Sequence, residues 1–113
     1  MTTEQTTHDF GDGLGEVPAH RHVNPGGQRT GWVDDTAQVS ASVFIADTAR
    51  IRSRAIIDPD VFIDRDATIH SGAIIGPRAT IGEGATIGPR ATIHAGVTIK
   101  ALTVVPADAE VTQ

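Results

Sequence analysis

Aliphatic residues recur at every sixth position over most of the chain. Fourteen positions, taken in steps of six from Val33 to Val111, hold only Ile or Val, and two residues before each lies a small or β-branched residue. An α-helix advances about 100° per residue, so a step of six would scatter these side chains around its axis. Apolar residues two apart instead share one face of a strand. Each unit therefore predicts one short strand and one corner, with turn chemistry from segments such as IGPR, IDPD and IGEG.

Repeats of this length are typical of β-solenoids. The units IGPRAT at 75–80 and IGEGAT at 81–86 resemble the hexapeptide-repeat family of bacterial transferases, and the resemblance covers residues 33 to 111. In that family three hexads make one triangular coil. The resemblance thus implies an all-β fold, a left-handed parallel β-helix of about four and a half 18-residue coils over residues 32–113.

The 18-residue coil is supported by the side chains themselves. Residues 18 apart should stack at the strand spacing of about 4.8 Å. Like residues then fall over like: Phe44 over Phe62, Ile56 over Ile74, and Thr80 over Thr98. Opposite charges also fall in one column, as with Asp60 and Arg78, and such pairs favour this register.

Residues 1–31 form a different kind of segment, rich in Gly, Pro and polar residues and without periodicity. They predict an extended N-terminal arm, mobile or docked on a partner. Four isolated apolar residues are the expected anchors of this arm: Phe10, Leu14, Val17 and Val23. The stretch VPAHRHVNPGG, followed by GWV, resembles a leader that precedes such repeats in uncharacterised bacterial and phage-encoded proteins. We expect Trp32, at the junction, to cover the open lower end of the solenoid.

Charge and composition exclude several classes of function. The net charge is -5 and no basic stripe is visible, so no nucleic-acid partner is expected. The cluster of Arg50, Arg52 and Arg54 is interpreted as a solvated charged face. Cysteine is absent, which excludes disulfides. The N-terminus lacks the regions of a secretory signal and no stretch reaches membrane-spanning length. We expect no membrane partner, and a cytoplasmic protein or part of a particle assembled in the cytoplasm.

Two histidines of the repeat, His70 and His94, are candidates for catalysis. Many members of the resembled family are trimeric acyltransferases that use acyl-CoA or acyl-carrier donors, with sites between subunits and a histidine as general base. Both histidines directly follow an inward Ile and so lie at corners. They are four hexads apart, which places them on different edges of the prism. Because neither has a carboxylate in its own corner column, nor an inserted loop to shelter a substrate, we expect both to be surface residues and no catalytic residue to be present.

Two further resemblances are weaker. Some relatives are zinc carbonic anhydrases, which would require three interface histidines, and the repeat offers two. His20 and His22, two residues apart in the arm, are a weak alternative metal pair. No metal and no cofactor are expected. Outward threonines resemble the arrays of ice-binding β-helices, but each strand has only one, and Thr is an ordinary exposed strand residue.

The outward apolar residues are more informative. Phe44 and Phe62 fall on one face, and Ile56 and Ile74 on the adjoining face. Such a patch on a small domain usually marks an interface, and we expect a homotrimer formed around it. The sequence is thus interpreted as a non-enzymatic trimeric structural protein, joined by its arm to a larger assembly such as a phage virion. The alternative is a small acyltransferase that uses acyl-CoA and a corner histidine as general base.

Overall fold

The computed structural model describes residues 7–9 and 15–112, and every regular element in them is a β-strand. Phe10 and Leu14 lie outside the described residues. The longer strands come first: β1 (Thr7–Asp9), β2 (Glu16–Val23) and β3 (Arg29–Asp34). Thirteen two-residue strands follow: β4 (Gln38–Val39), β5 (Phe44–Ile45), β6 (Arg50–Ile51), β7 (Ile56–Ile57), β8 (Phe62–Ile63), β9 (Thr68–Ile69), β10 (Ile74–Ile75), β11 (Thr80–Ile81), β12 (Thr86–Ile87), β13 (Thr92–Ile93), β14 (Thr98–Ile99), β15 (Val104–Val105) and β16 (Glu110–Val111).

The strands from β3 onward stack into three parallel sheets, which are the faces of a triangular prism. Face 1 contains β3, β6, β9, β12 and β15; face 2 contains β4, β7, β10, β13 and β16; face 3 contains β5, β8, β11 and β14. Every pair in these stacks joins residues 18 apart, as in Phe44 with Phe62 and Ile56 with Ile74. The predicted left-handed parallel β-helix with an 18-residue coil is therefore confirmed.

The core is a column of inward side chains. Nine isoleucines, from Ile45 to Ile93 in steps of six, are among its fully buried residues. The Ala or Val two positions earlier in each unit is buried beside them. The single residue between the two inward positions points outward, so each coil presents one outward side chain per face. The three edges between faces are named by the faces they join: edge 1–2, edge 2–3 and edge 3–1.

The segment before the first coil differs from the expected mobile or partner-docked arm. β2 pairs antiparallel with β3, and β1 with β2, so that they extend face 1 downward below the first coil. Of the expected anchors, Val17 lies in β2 and is partly buried, whereas Val23 ends that strand with half of its surface exposed. β2 forms because its backbone N–H and C=O groups can hydrogen bond to the lower, free edge of β3. Hydrophobic periodicity does not reveal this pairing.

The lower end of face 3 is closed by side chains of this hairpin. Asn24 accepts a hydrogen bond from Ile45 N (2.9 Å) through its Oδ1 and donates to Ile45 O (3.1 Å) through its Nδ2. His22 Nε2 donates to Val43 O at 2.6 Å, and the Thr30 hydroxyl also donates to Ile45 O. In higher coils such backbone groups pair with another strand, as Val61 O does with Phe44 N. These three side chains therefore replace the missing strand beneath β5.

Trp32, which we expected at this open end, lies elsewhere. Val33 takes the inward position in β3, so Trp32 points outward from face 1. Its ring stacks on His8 with centroids 4.6 Å apart and planes at 8°, and the Arg21 guanidinium lies 5.2 Å from its centroid. The tryptophan thus joins β1, β2 and β3 along their outer side.

Replacing Asn24 by Ala should lower the free energy of unfolding by about 1–3 kcal/mol, because Ile45 N then has no partner in a buried position. The control is Gln28→Ala, which removes an exposed amide from the same turn and should have little effect. Urea unfolding followed by circular dichroism measures both. Equal stability of the two variants would show that Asn24 does not seal the edge.

His22 should make stability depend on pH. Burial lowers the pKa of His22 below its ordinary value of 6.5, against a smaller opposing effect of its bond to Val43. The folded protein therefore favours the neutral ring, and the free energy of unfolding should fall as the pH drops through about 6.5. His22→Gln keeps a donor that does not titrate. Urea unfolding at pH 8 and pH 5.5 should show a smaller loss in this variant than in the wild type; an equal loss would contradict the assignment.

Candidate functional site

His94 and Glu110 form a hydrogen-bonded pair on edge 2–3. His94 follows β13 at the corner, and Glu110 opens β16 in the outward position directly above Thr92. His94 Nε2 lies 2.7 Å from Glu110 Oε1, and the side chains are 45% and 65% exposed, respectively. With Nε2–H donating to the carboxylate, the neutral ring keeps Nδ1 unprotonated and able to accept a proton. The pair thus has the arrangement of a general base with an orienting carboxylate.

The 18-residue period does not predict this partner. Glu110 lies outside the corner column of His94, whose members are 18 residues apart. Glu110 is 16 residues away, because it stands on the adjoining strand of the next coil rather than at its corner. The expectation concerned only the corner column of His94, and the structure places the orienting carboxylate on the neighbouring strand instead. Testing the outward positions on both sides of each corner would have found it.

His70 lies in a different setting on edge 1–2. Burial lowers its pKa, and the nearby Arg52 and Arg50 guanidinium groups lower it further. Its ring is thus held neutral near pH 7. Among residues 7–9 and 15–112, no carboxylate is hydrogen bonded to the His70 ring. The structure places His70 and His94 on separate edges, and only His94 has the orienting partner.

The apolar columns singled out in the sequence lie on the two faces that meet at edge 2–3. The Phe44 and Phe62 column also lines a space of about 660 Å³ with Asn24 of the hairpin and with Asp64 and Arg65 of edge 3–1. The rings of Phe44 and Phe62 stack with centroids 4.9 Å apart and planes at 4° on face 3. Ile56 and Ile74 stack in register on face 2. Phe62, Ile56 and Ile74 each keep more than a third of their surface exposed. The two faces that meet at edge 2–3 therefore carry exposed apolar columns in their lower coils, and the His94–Glu110 pair lies higher on the same edge.

The two arm histidines, His20 and His22, have different hydrogen-bond partners. His22 is buried against Val43 O, whereas His20 is exposed and its Nδ1 lies 2.7 Å from Asp35 Oδ1. A register irregularity in β2 between Arg21 and His22 gives the two rings different surroundings. Within the described part of the chain, no three His, Cys, Asp or Glu residues are grouped as metal ligands. The same residues include no helix that is long and apolar enough to cross a membrane.

Residues 66–101 match the family model described as bacterial transferase hexapeptide, with six repeats. No curated protein sequence matches the chain. Among solved structures, a mutant of GDP-perosamine N-acetyltransferase from Caulobacter crescentus, in complex with CoA and GDP-perosamine, is 26% identical with a TM-score of 0.49. A second mutant of the Caulobacter crescentus perosamine N-acetyltransferase, with the same ligands, is 24% identical with a TM-score of 0.41.

Each comparison covers 74% of this chain and 49% of the other, so the chain spans about half the length of these structures. The family match is to a transferase, and it contradicts the interpretation of the chain as a non-enzymatic structural protein of a larger assembly. That interpretation gave weight to the apolar columns and the arm, and overlooked Glu110. The repeat of this chain is of the bacterial transferase hexapeptide type.

Proposed function

We propose that the chain is an acyltransferase subunit that moves an acyl group from acyl-CoA to an amine or hydroxyl acceptor. The transferase type of the repeat supports the reaction class. The observation that carries the proposal within this chain is the 2.7 Å contact between His94 Nε2 and Glu110 Oε1. Of the two corner histidines, this contact selects His94 as the general base.

His94 carries out both proton transfers of the reaction, and Glu110 orients it. Nδ1 of His94 takes the proton of the acceptor N–H or O–H as the acceptor attacks the thioester carbonyl. The carbon–sulfur bond then breaks, and the imidazolium returns the proton to the leaving thiolate, which yields free CoA. Glu110 keeps Nε2 protonated throughout and stabilises the imidazolium formed between the two steps.

A second subunit is part of this proposal. His94 is about half exposed on a convex edge, so one chain alone cannot surround a substrate there. The apolar columns beside the same edge offer a surface that another copy can cover. We infer a homotrimer whose subunits meet along edge 2–3, with His94 facing the neighbouring copy. The family resemblance, which implies trimers with sites between subunits, supports the same arrangement.

His94→Ala should lower kcat/KM for acyl transfer from acetyl-CoA by about 10²- to 10⁴-fold, the usual contribution of a general base. Glu110→Gln should lower it less, since the base remains but is no longer oriented by a charge. The assay follows release of the CoA thiol with a panel of acceptors that includes amino sugars and sugars with only hydroxyl groups. His70→Ala, which removes the other corner histidine, is the control and should stay active. Activity lost with His70 and kept without His94 would contradict the assignment.

Phe62→Asp should disrupt the trimer, because it places a charge in an apolar interface where no partner is provided. The matched control is Thr86→Asp, an outward residue of face 1. Light scattering coupled to size-exclusion chromatography measures the mass of each. We expect a monomer for Phe62→Asp and a trimer for the control. A Phe62→Asp trimer with unchanged thermal stability would remove this column from the interface.

A further inference from the structure

Three stacked corners of edge 1–2 carry positive charge without a carboxylate among them. They read Arg-Ser-Arg at 52–54, His-Ser-Gly at 70–72 and Gly-Pro-Arg at 88–90. In the same coil as 52–54, the other two edges have acidic or mixed corners: 58–60 on edge 2–3 is Asp-Pro-Asp, and 64–66 on edge 3–1 is Asp-Arg-Asp. The backbone is the same at all three edges, so the difference lies in the side chains.

Gly72 opens a notch between two of these arginines. Arg54 lies one coil below it and Arg90 one coil above, in a single column. Arg54, Ser71, Gly72 and Arg90 line a space of about 200 Å³, which exceeds the roughly 30 Å³ that one water occupies in the liquid. Gly72 has a φ of +72°, so the left-handed turn favours glycine, and no side chain of its own fills the space.

The donors around the notch suit an oxyanion. Arg90 Nε and Nη2 bind Asp108 at 2.7 and 3.2 Å, which fixes the guanidinium and leaves further N–H groups for another acceptor. Ser53 Oγ and Ser71 Oγ lie 2.9 Å apart, so one hydroxyl donates to the other and the second keeps its proton for a ligand. Arg54 is exposed beside them.

The charged groups next to the notch determine the sign of the electrostatic potential there. The pKa of His70, one position before Ser71, is lowered first by burial and then by Arg52 and Arg50. Asp108 offsets one of the arginines at the top of the notch. Arg52 and Arg54 add two positive charges below it. The three corners themselves are therefore formally positive, although acidic corners flank them on the same edge, with Asp34 and Asp35 one coil below the 52–54 corner and Asp108 above.

We propose that this notch on edge 1–2 binds a phosphate dianion, either free phosphate or the phosphate of a monoester, between Arg54 and Arg90 with a serine hydroxyl as third donor. Guanidinium groups pair with phosphate through parallel N–H donors, which gives this geometry both strength and direction. The site is on a different edge from His94 and does not depend on the acyl-transfer proposal.

The test is isothermal titration calorimetry of the full chain with inorganic phosphate and, separately, with phenyl phosphate, at low ionic strength. Arg54→Gln should weaken phosphate binding by about tenfold, the usual effect of losing one charge-assisted hydrogen bond. The control is Arg78→Gln, since Arg78 has the same corner position and a similar φ of 63° but stands above Asp60 on edge 2–3. Circular dichroism checks that both variants fold, and Ser71→Ala gives a second, milder test of the same notch.

Equal affinity for the two probes would identify free phosphate as the ligand, and tighter binding of phenyl phosphate would identify a monoester; either result supports the site. If neither probe shows saturable binding to the wild type, the proposal is wrong. It is also wrong if Arg54→Gln and Arg78→Gln weaken binding equally, since general charge then explains the effect.

Discussion

Each strand of the solenoid has only two residues, and its backbone groups are satisfied by the coils above and below. This vertical pairing fixes an 18-residue register from β3 to β16. A shift of one residue would turn every inward Ile to solvent. The register therefore positions every functional side chain, and it leaves the end coils with unpaired groups. At the lower end of face 3, side-chain atoms of Asn24 and His22 hydrogen bond to the backbone groups of Val43 and Ile45 that have no strand beneath them.

The repeat made most of the fold predictable. Step-six aliphatics predicted the buried column, and the 18-residue pairs predicted which outward residues stack, including Phe44 with Phe62. The hairpin was not predictable in the same way, because His22 and Asn24 act through single hydrogen bonds that follow no period. The His94–Glu110 pair falls between these cases. Both residues occupy positions that the repeat predicts, His94 at a corner and Glu110 on a strand. Their contact joins two different columns, so comparing residues 18 apart does not reveal it.

One backbone supports different chemistry on its edges. Edge 2–3 combines apolar columns with a histidine and its carboxylate, whereas edge 1–2 combines arginines and serines around Gly72. The core residues behind both edges are the same Ile and Ala or Val units. Outward and corner positions can therefore change with little effect on the core, which is why the repeat establishes the fold while individual side chains must establish the function.

The proposed acyl-donor site lies at edge 2–3, between two copies of the chain and next to His94. A crystal structure of the protein with CoA tests this most directly, because it locates both the ligand and the neighbouring subunit. We predict CoA along edge 2–3, in contact with two subunits, with its thiol near Nδ1 of His94. CoA bound on another face or edge, or copies that meet away from edge 2–3, would contradict it.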